Sequence, residues 1–162
     1  MTSQSSTRYH VVPRTLCFVL DGDELLLIKR APHKRLFPGK INGLGGHVEH
    51  NEDIQTAVIR EIKEEAGIDV KDLWLAGVIN IDGIESQSDT LVTDGVPSVV
   101  IFVFIAQATS REVQPSEEGE LIWASLTAVH QLDWVGGKPD LLLQALEAWR
   151  EKRPFFTYRK SA

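Results

Sequence analysis

Three glutamates, Glu61, Glu64 and Glu65, crowd together in the stretch "IQTAVIREIKEEAGI". On a helical wheel of about 100° per residue, Ile54, Ala57, Val58 and Ile62 define one apolar arc. Glu61 and Glu65 fall inside that arc and Glu64 just off its edge, so carboxylates interrupt the stripe that should be buried. Residues three and four apart on a helix approach to about 5–6 Å at Cβ, which brings the three acids into one small volume. Partly buried carboxylates that repel one another either take up protons or bind a cation. Hard oxygen donors with no cysteine nearby point to Mg2+, with Mn2+ as its substitute. A zinc site at His47 and His50 lacks a third soft ligand. Arg60 flanks the acidic face and could clamp Glu52 or one of the ligand carboxylates; an exposed pair with Glu64 is the alternative.

These side chains need a scaffold, and the flanking sequence supplies one. Asn51 is expected to cap the helix, with Glu52 and Asp53 in its first turn and Gly67 in the left-handed position that closes it. Upstream, "RTLCFVL" and "ELLLIKR" flank "DGD", a hairpin signal. A calcium loop opening at that turn is excluded, because Pro32 falls where a bidentate Glu is required. The segment "PHKRLFPGKINGLGG" is rich in Pro and Gly and suits a loop that lines a site. It is no phosphate-binding P-loop, since Lys34 stands at the first glycine position and Ile41 replaces Ser or Thr. Downstream, "LWLAGVINI", "SVVIFVFIAQA" and "GELIWASL" read as strands, the second apolar enough to be central. "TAVHQL" reads as a turn or two of helix, "KPDLLLQALEAWREK" as a closing amphipathic helix, and "RPFFTYRKSA" as a tail that docks on the body. Residues 83 to 96 read as a polar surface loop. Strands and helices in this order favour an α/β fold in which helices sandwich a mixed sheet.

Composition narrows the class further. At 162 residues and 43% hydrophobic the chain fits one domain, residues 10 to 162, behind a polar leader at residues 1 to 9. A net charge of -6 argues against a nucleic-acid polymer as partner. Without a charged-then-apolar leader or a long apolar run, the sequence reads as a cytoplasmic protein with no membrane contact. The single Cys17 sits in an apolar run and reads as a buried structural thiol.

Gly46, Glu52 and "REIKEEAGI" at residues 60 to 68 reproduce every fixed position of the Nudix box, G-x5-E-x7-R-E-U-x-E-E-x-G-U, where U is aliphatic. The chain therefore resembles the Nudix hydrolases, which cleave nucleoside diphosphates linked to another moiety, usually with Mg2+. The resemblance implies the Nudix fold, an α/β/α sandwich. It also implies Glu61, Glu64, Glu65 and the Gly46 carbonyl as metal ligands, with Arg60 and Glu52 in support of the catalytic glutamates. A further metal-binding acid is expected just before a Trp-containing strand, where Glu118 matches and Glu117 and Glu120 are rivals. A ligand glutamate or an acid outside the box would accept the proton of the attacking water.

Within the family, "GKINGLGGHVE" is similar to the MutT group that hydrolyses oxidised purine nucleoside triphosphates such as 8-oxo-dGTP. That likeness implies Asn42 as a base contact, Trp134 as a base-stacking residue and His47 as a neighbour of the phosphates. The chain departs from the group at Gly136 and Gly137, where paired acids stand, and at His47, where Lys is frequent. The expected reaction is conversion of a nucleoside triphosphate to monophosphate and pyrophosphate on a small nucleotide substrate. The alternatives are cleavage of ADP-ribose or a nucleotide sugar, and a non-catalytic nucleotide sensor.

Overall fold

The computed structural model describes residues 9–83 and 97–160. Most of the expected leader and of the loop at 83 to 96 lies outside these residues. β1 (Val12–Asp21) and β2 (Glu24–Arg30) form the hairpin expected around Asp-Gly-Asp, pairing Val19 with Leu26, Leu20 with Leu25 and Asp21 with Glu24. The strands then part. β3 (Ile41–Asn42) pairs with the far end of β2, and the opening left beside β1 is filled by the chain from Gly43 to Val48. Cys17 N donates to Leu44 O at 2.6 Å, Thr15 N to Gly46 O at 2.8 Å and Val48 N to Pro13 O at 3.1 Å. Gly45 adopts φ +151° in this insert, and a Cβ there would run into the Thr15 carbonyl. Only glycine lets the backbone pass so close to β1.

β5 (Val99–Ala108) is central, as its apolar run predicts. It lies parallel to β1 and antiparallel to β4 (Val70–Ile81), so the sheet is mixed. β6 (Gly119–Ser125) pairs with β2. The aromatic tail docks as β7 (Phe155–Arg159), parallel to β4 at the sheet edge. Alternate side chains of β1 face opposite cores. Cys17 and Val19 meet Val58, Ile62 and Ala66 of α1 (Ile54–Ala66), while Leu16, Phe18 and Leu20 share a cluster with Leu142, Ala145 and Ala148 of α2 (Asp140–Glu151). The result is an α/β/α sandwich, with a short 3-10 turn at Val129–Gln131 on the α2 side. Cys17 is buried and unpaired as expected, and burial pushes its thiol pKa up, away from reactivity.

One expectation about α1 is corrected. Asp53, not Asn51, caps the helix, its carboxylate accepting from Thr56 N at 2.9 Å and from Thr56 Oγ1 at 2.7 Å. Asn51 turns the chain with φ +65°, and Glu52 is drawn away to Arg60 instead of entering the first turn. Gly67 closes the helix at φ +71° as predicted.

Candidate active site

The Gly43–Val48 insert and α1 face each other, and the acids of the box stand between them. Glu65 is 6% exposed, and its Oε2 accepts from Gly45 N at 3.0 Å. Burial raises its pKa to about 8, opposed by the Gly45 hydrogen bond and reinforced by Glu61 and Glu118. Glu61 lies against Gly46, where a Cβ would stand 2.5 Å from its carboxyl carbon and Oε1. Its pKa is also raised, first by burial, with Arg60 pulling the other way. Glu64 is exposed, as the edge position on the wheel anticipates, and accepts from Arg60 Nη1 at 3.2 Å.

Arg60 organises this group. Its Nε and Nη2 donate to the two oxygens of Glu52 at 3.0 and 2.7 Å, its Nη2 to the His47 carbonyl at 3.0 Å and its Nη1 to Glu61 Oε1 at 3.1 Å. The open choice between clamping Glu52, holding a box carboxylate and pairing with Glu64 is resolved, since one guanidinium does all three. The bidentate bond to Glu52 is the main reason the Arg60 pKa is raised and the Glu52 pKa lowered.

Gly46 O accepts from Thr15 N at 2.8 Å, and Gly46 N donates to Thr15 Oγ1 at 3.4 Å. This fixes the carbonyl expected among the metal ligands. Among the described residues no three His, Cys, Asp or Glu side chains are grouped to hold a metal as they stand, because Arg60 draws Glu61 and Glu64 to itself and Gly45 holds Glu65. The chemistry of the set nevertheless fits a hard divalent cation. Its donors are all oxygen, two of the acids are held up in pKa by burial and mutual repulsion, and the missing Cβ of Gly46 leaves room for the Glu61 carboxyl.

Beside the acids a cavity of about 350 Å³ opens between the parted β1 and β2 strands and the start of α2. Glu65, Glu118, Asn42 and Trp134 line it, so four of the sequence candidates meet on one wall system. Glu118 forms an ion pair with Lys34 at 2.6 Å, while Glu117 and Glu120 are exposed outside the lining. Asn42 Oδ1 accepts from Gly43 N at 3.0 Å, which leaves its amide NH2 for other acceptors. Trp134 is 3% exposed and donates from Nε1 to Val129 O at 2.6 Å, so it packs in the core and offers the cavity only part of its ring. The His47 side chain is exposed and lies outside the lining; its carbonyl serves Arg60, and burial and Arg14 lower its pKa. His50 is exposed as well.

Arg14 and Arg30 also line the cavity, and sequence reasoning passed over both. Arg14 is hidden as one cation within an apolar strand, and Arg30 reads as an ordinary strand end. The signal was available: a lone arginine whose neighbours from Thr15 to Leu20 are all buried has to be explained.

A match to the NUDIX domain family spans residues 10–149, and the chain belongs to that family. Among its relatives, the uncharacterized Nudix hydrolase YvcI of Bacillus subtilis (strain 168) is 30% identical over 125 residues, or 76% of this chain and 73% of that one. The NAD-capped RNA hydrolase NudC of Pseudomonas aeruginosa (strain LESB58) is 33% identical over 122 residues, 74% of this chain; the match spans 38% of that relative's length. The crystal structure of the mutator MutT protein from Bacillus halodurans superposes with a TM-score of 0.66 at 26% identity, over 92% of this chain and 90% of that one. Among the described residues no helix is long and apolar enough to cross a membrane.

Proposed function

We propose that the protein hydrolyses a diphosphate bond in a nucleoside diphosphate derivative, with a divalent cation, Mg2+ by donor chemistry, held by Glu61, Glu64, Glu65 and the Gly46 carbonyl. The observation that carries the reading is the joining of two charge types in one cavity. Carboxylates at Glu65 and Glu118 meet guanidinium groups at Arg14 and Arg30. Nudix hydrolases generally use a divalent metal. Bound here, the cation would neutralise phosphate charge and acidify the attacking water. The protein's own contribution is positional: Arg60 holds Glu61 and Glu64 through one nitrogen, Gly45 orients Glu65, and Glu118 adds a carboxylate to the same lining as Glu65. The proton of the attacking water passes to a carboxylate oxygen of Glu118 or of a box glutamate.

For the substrate we favour the MutT-type reading, a nucleoside triphosphate converted to monophosphate and pyrophosphate, including the oxidised purine 8-oxo-dGTP. Asn42 in the lining and the MutT resemblance support it. A second reading, an NAD-type dinucleotide as found on a capped RNA, is supported by the NudC relative. A panel of canonical and oxidised triphosphates, ADP-ribose, nucleotide sugars, NAD and NAD-capped RNA with Mg2+ separates them, run beside Glu64→Gln and Glu65→Gln. Selective turnover lost in both variants is expected. Silence of the wild type on every substrate, or variants as active as wild type, would sink the hydrolase reading.

A further inference from the structure

Most charged groups in and beside the acid end of the cavity have partners among the described residues. Glu61 has Arg60, Glu65 has the Gly45 N–H, Glu118 has Lys34, and Arg30 donates from Nε to Leu36 O at 2.9 Å. Arg14 has neither a hydrogen bond nor an ion pair from its side chain among the described residues, although it lines the cavity and is half-buried. Its position aggravates this. The strand around it is apolar, the neighbouring Arg30 repels it, and Glu61 and Glu65 attract it without reaching it as ion-pair partners. Half-burying an unpaired guanidinium costs stability, and arginine is retained at such a place where an anion with two oxygens matching its planar fork completes its donors.

The backbone fixes where that anion would sit. Arg14 pairs with His47 across the strand insert, and its neighbour Thr15 holds both the N–H and the carbonyl of Gly46. Arg14 therefore looks into the cavity from the strand that positions the expected metal-ligand carbonyl, while Glu65 and Glu118 line the same space. An anion in that space would have a cation on the Arg14 side and another on the carboxylate side.

We propose that Arg14 is an anion-binding specificity residue, receiving the phosphoryl oxygens of the substrate on the side of the diphosphate turned away from the box glutamates. This rests on the diphosphate reading above and adds a site to it. It implies a residue maintained at the expense of fold stability, a signature that a structural arginine does not show.

The test is thermal unfolding and calorimetry with Mg2+ alone and then with Mg2+ and inorganic pyrophosphate, on wild type, Arg14→Met and Arg14→Lys. In Arg14→Met the ligand-free protein should melt no lower than wild type, respond to Mg2+ as wild type does, and bind pyrophosphate about tenfold to a hundredfold more weakly. Arg14→Lys keeps the charge without the two-nitrogen fork and should weaken pyrophosphate by roughly tenfold. Undiminished pyrophosphate affinity in either variant overturns the inference. So does a lower melting temperature of ligand-free Arg14→Met, which would mark Arg14 as a supporting residue. A wild type inactive on the whole substrate panel defeats the hydrolase reading, whereas pyrophosphate affinity decides Arg14 separately.

Discussion

Arg60 holds Glu52 through both arms of its guanidinium, Nε to Oε2 at 3.0 Å and Nη2 to Oε1 at 2.7 Å, although Glu52 precedes the helix on which Arg60 stands. The bond ties the entry loop to the helix and leaves Nη1 free to hold Glu61 and Glu64. Neither residue lines the cavity, so in the proposed reaction the pair would act through Glu61 and Glu64, which Arg60 holds.

Glu52→Gln should therefore lower kcat by about tenfold to a hundredfold with KM little changed, the scale usual for groups that orient metal ligands. Arg60→Lys should do at least as much, because an ammonium cannot replace the fork. Steady-state kinetics at saturating Mg2+ check both. A variant that changes KM alone would show that Arg60 and Glu52 serve substrate binding instead.

Glu65 should make the metal-free protein lose stability as pH rises. Its folded pKa of about 8 lies above the ordinary 4.5. Below 4.5 the carboxyl is protonated in both states and its contribution to stability is fully present. Between 4.5 and about 8 the unfolded chain releases a proton that the folded chain retains, so stability falls as pH rises through this window. Melting curves in chelator from pH 5 to 9 should show the decline, Glu65→Gln should flatten it, and Mg2+ should restore stability at the alkaline end. A profile identical in wild type and Glu65→Gln would show that Glu65 does not hold its proton.

Gly46→Ala separates site from scaffold. The added Cβ meets the end of the Glu61 side chain, 2.5 Å from its carboxyl, which can swing away by rotation. The cost to stability should stay near about 1 kcal/mol, the scale of a displaced rotamer. Activity should fall at least tenfold, because Glu61 leaves the volume it shares with Glu65. A melting temperature lowered by much more than that cost allows, with activity kept, would contradict this account.

The helix and its acids were legible because period and phase are local properties of the sequence. Val58 and Ile62 are buried, Glu65 sits among them, and Glu64 is at the exposed edge, as the wheel has it. The cap was misplaced because Glu52 is claimed by Arg60, eight residues on, a competition no local preference reveals. The insertion of residues 43 to 48 beside β1 was invisible for a different reason. Its glycines read as loop, and only the parting of β1 from β2 makes room for them. Arg14 offered only a weak signal, one cation at the head of an apolar run, and the missing partner that singles it out exists only in three dimensions.

The proposed role of Asn42 in base recognition is tested through the proton inventory of its amide. Its Oδ1 accepts from Gly43 N at 3.0 Å, and its amide NH2 is a donor that the residue can offer a ligand. Asn42→Asp keeps the acceptor for Gly43 and removes that donor. If Asn42 reads the base, the variant should lose about tenfold to a hundredfold in kcat/KM on a base presenting an acceptor there, the scale of one hydrogen bond to a buried partner left unmade. Turnover of substrates lacking that acceptor should change far less. Competition between paired substrates in one reaction measures the ratio directly, and equal losses across all bases would remove Asn42 from recognition. Trp134→Phe is the companion measurement: its indole N–H is spent on Val129 O, so the change should lower stability by about 1–3 kcal/mol while leaving base preference in place.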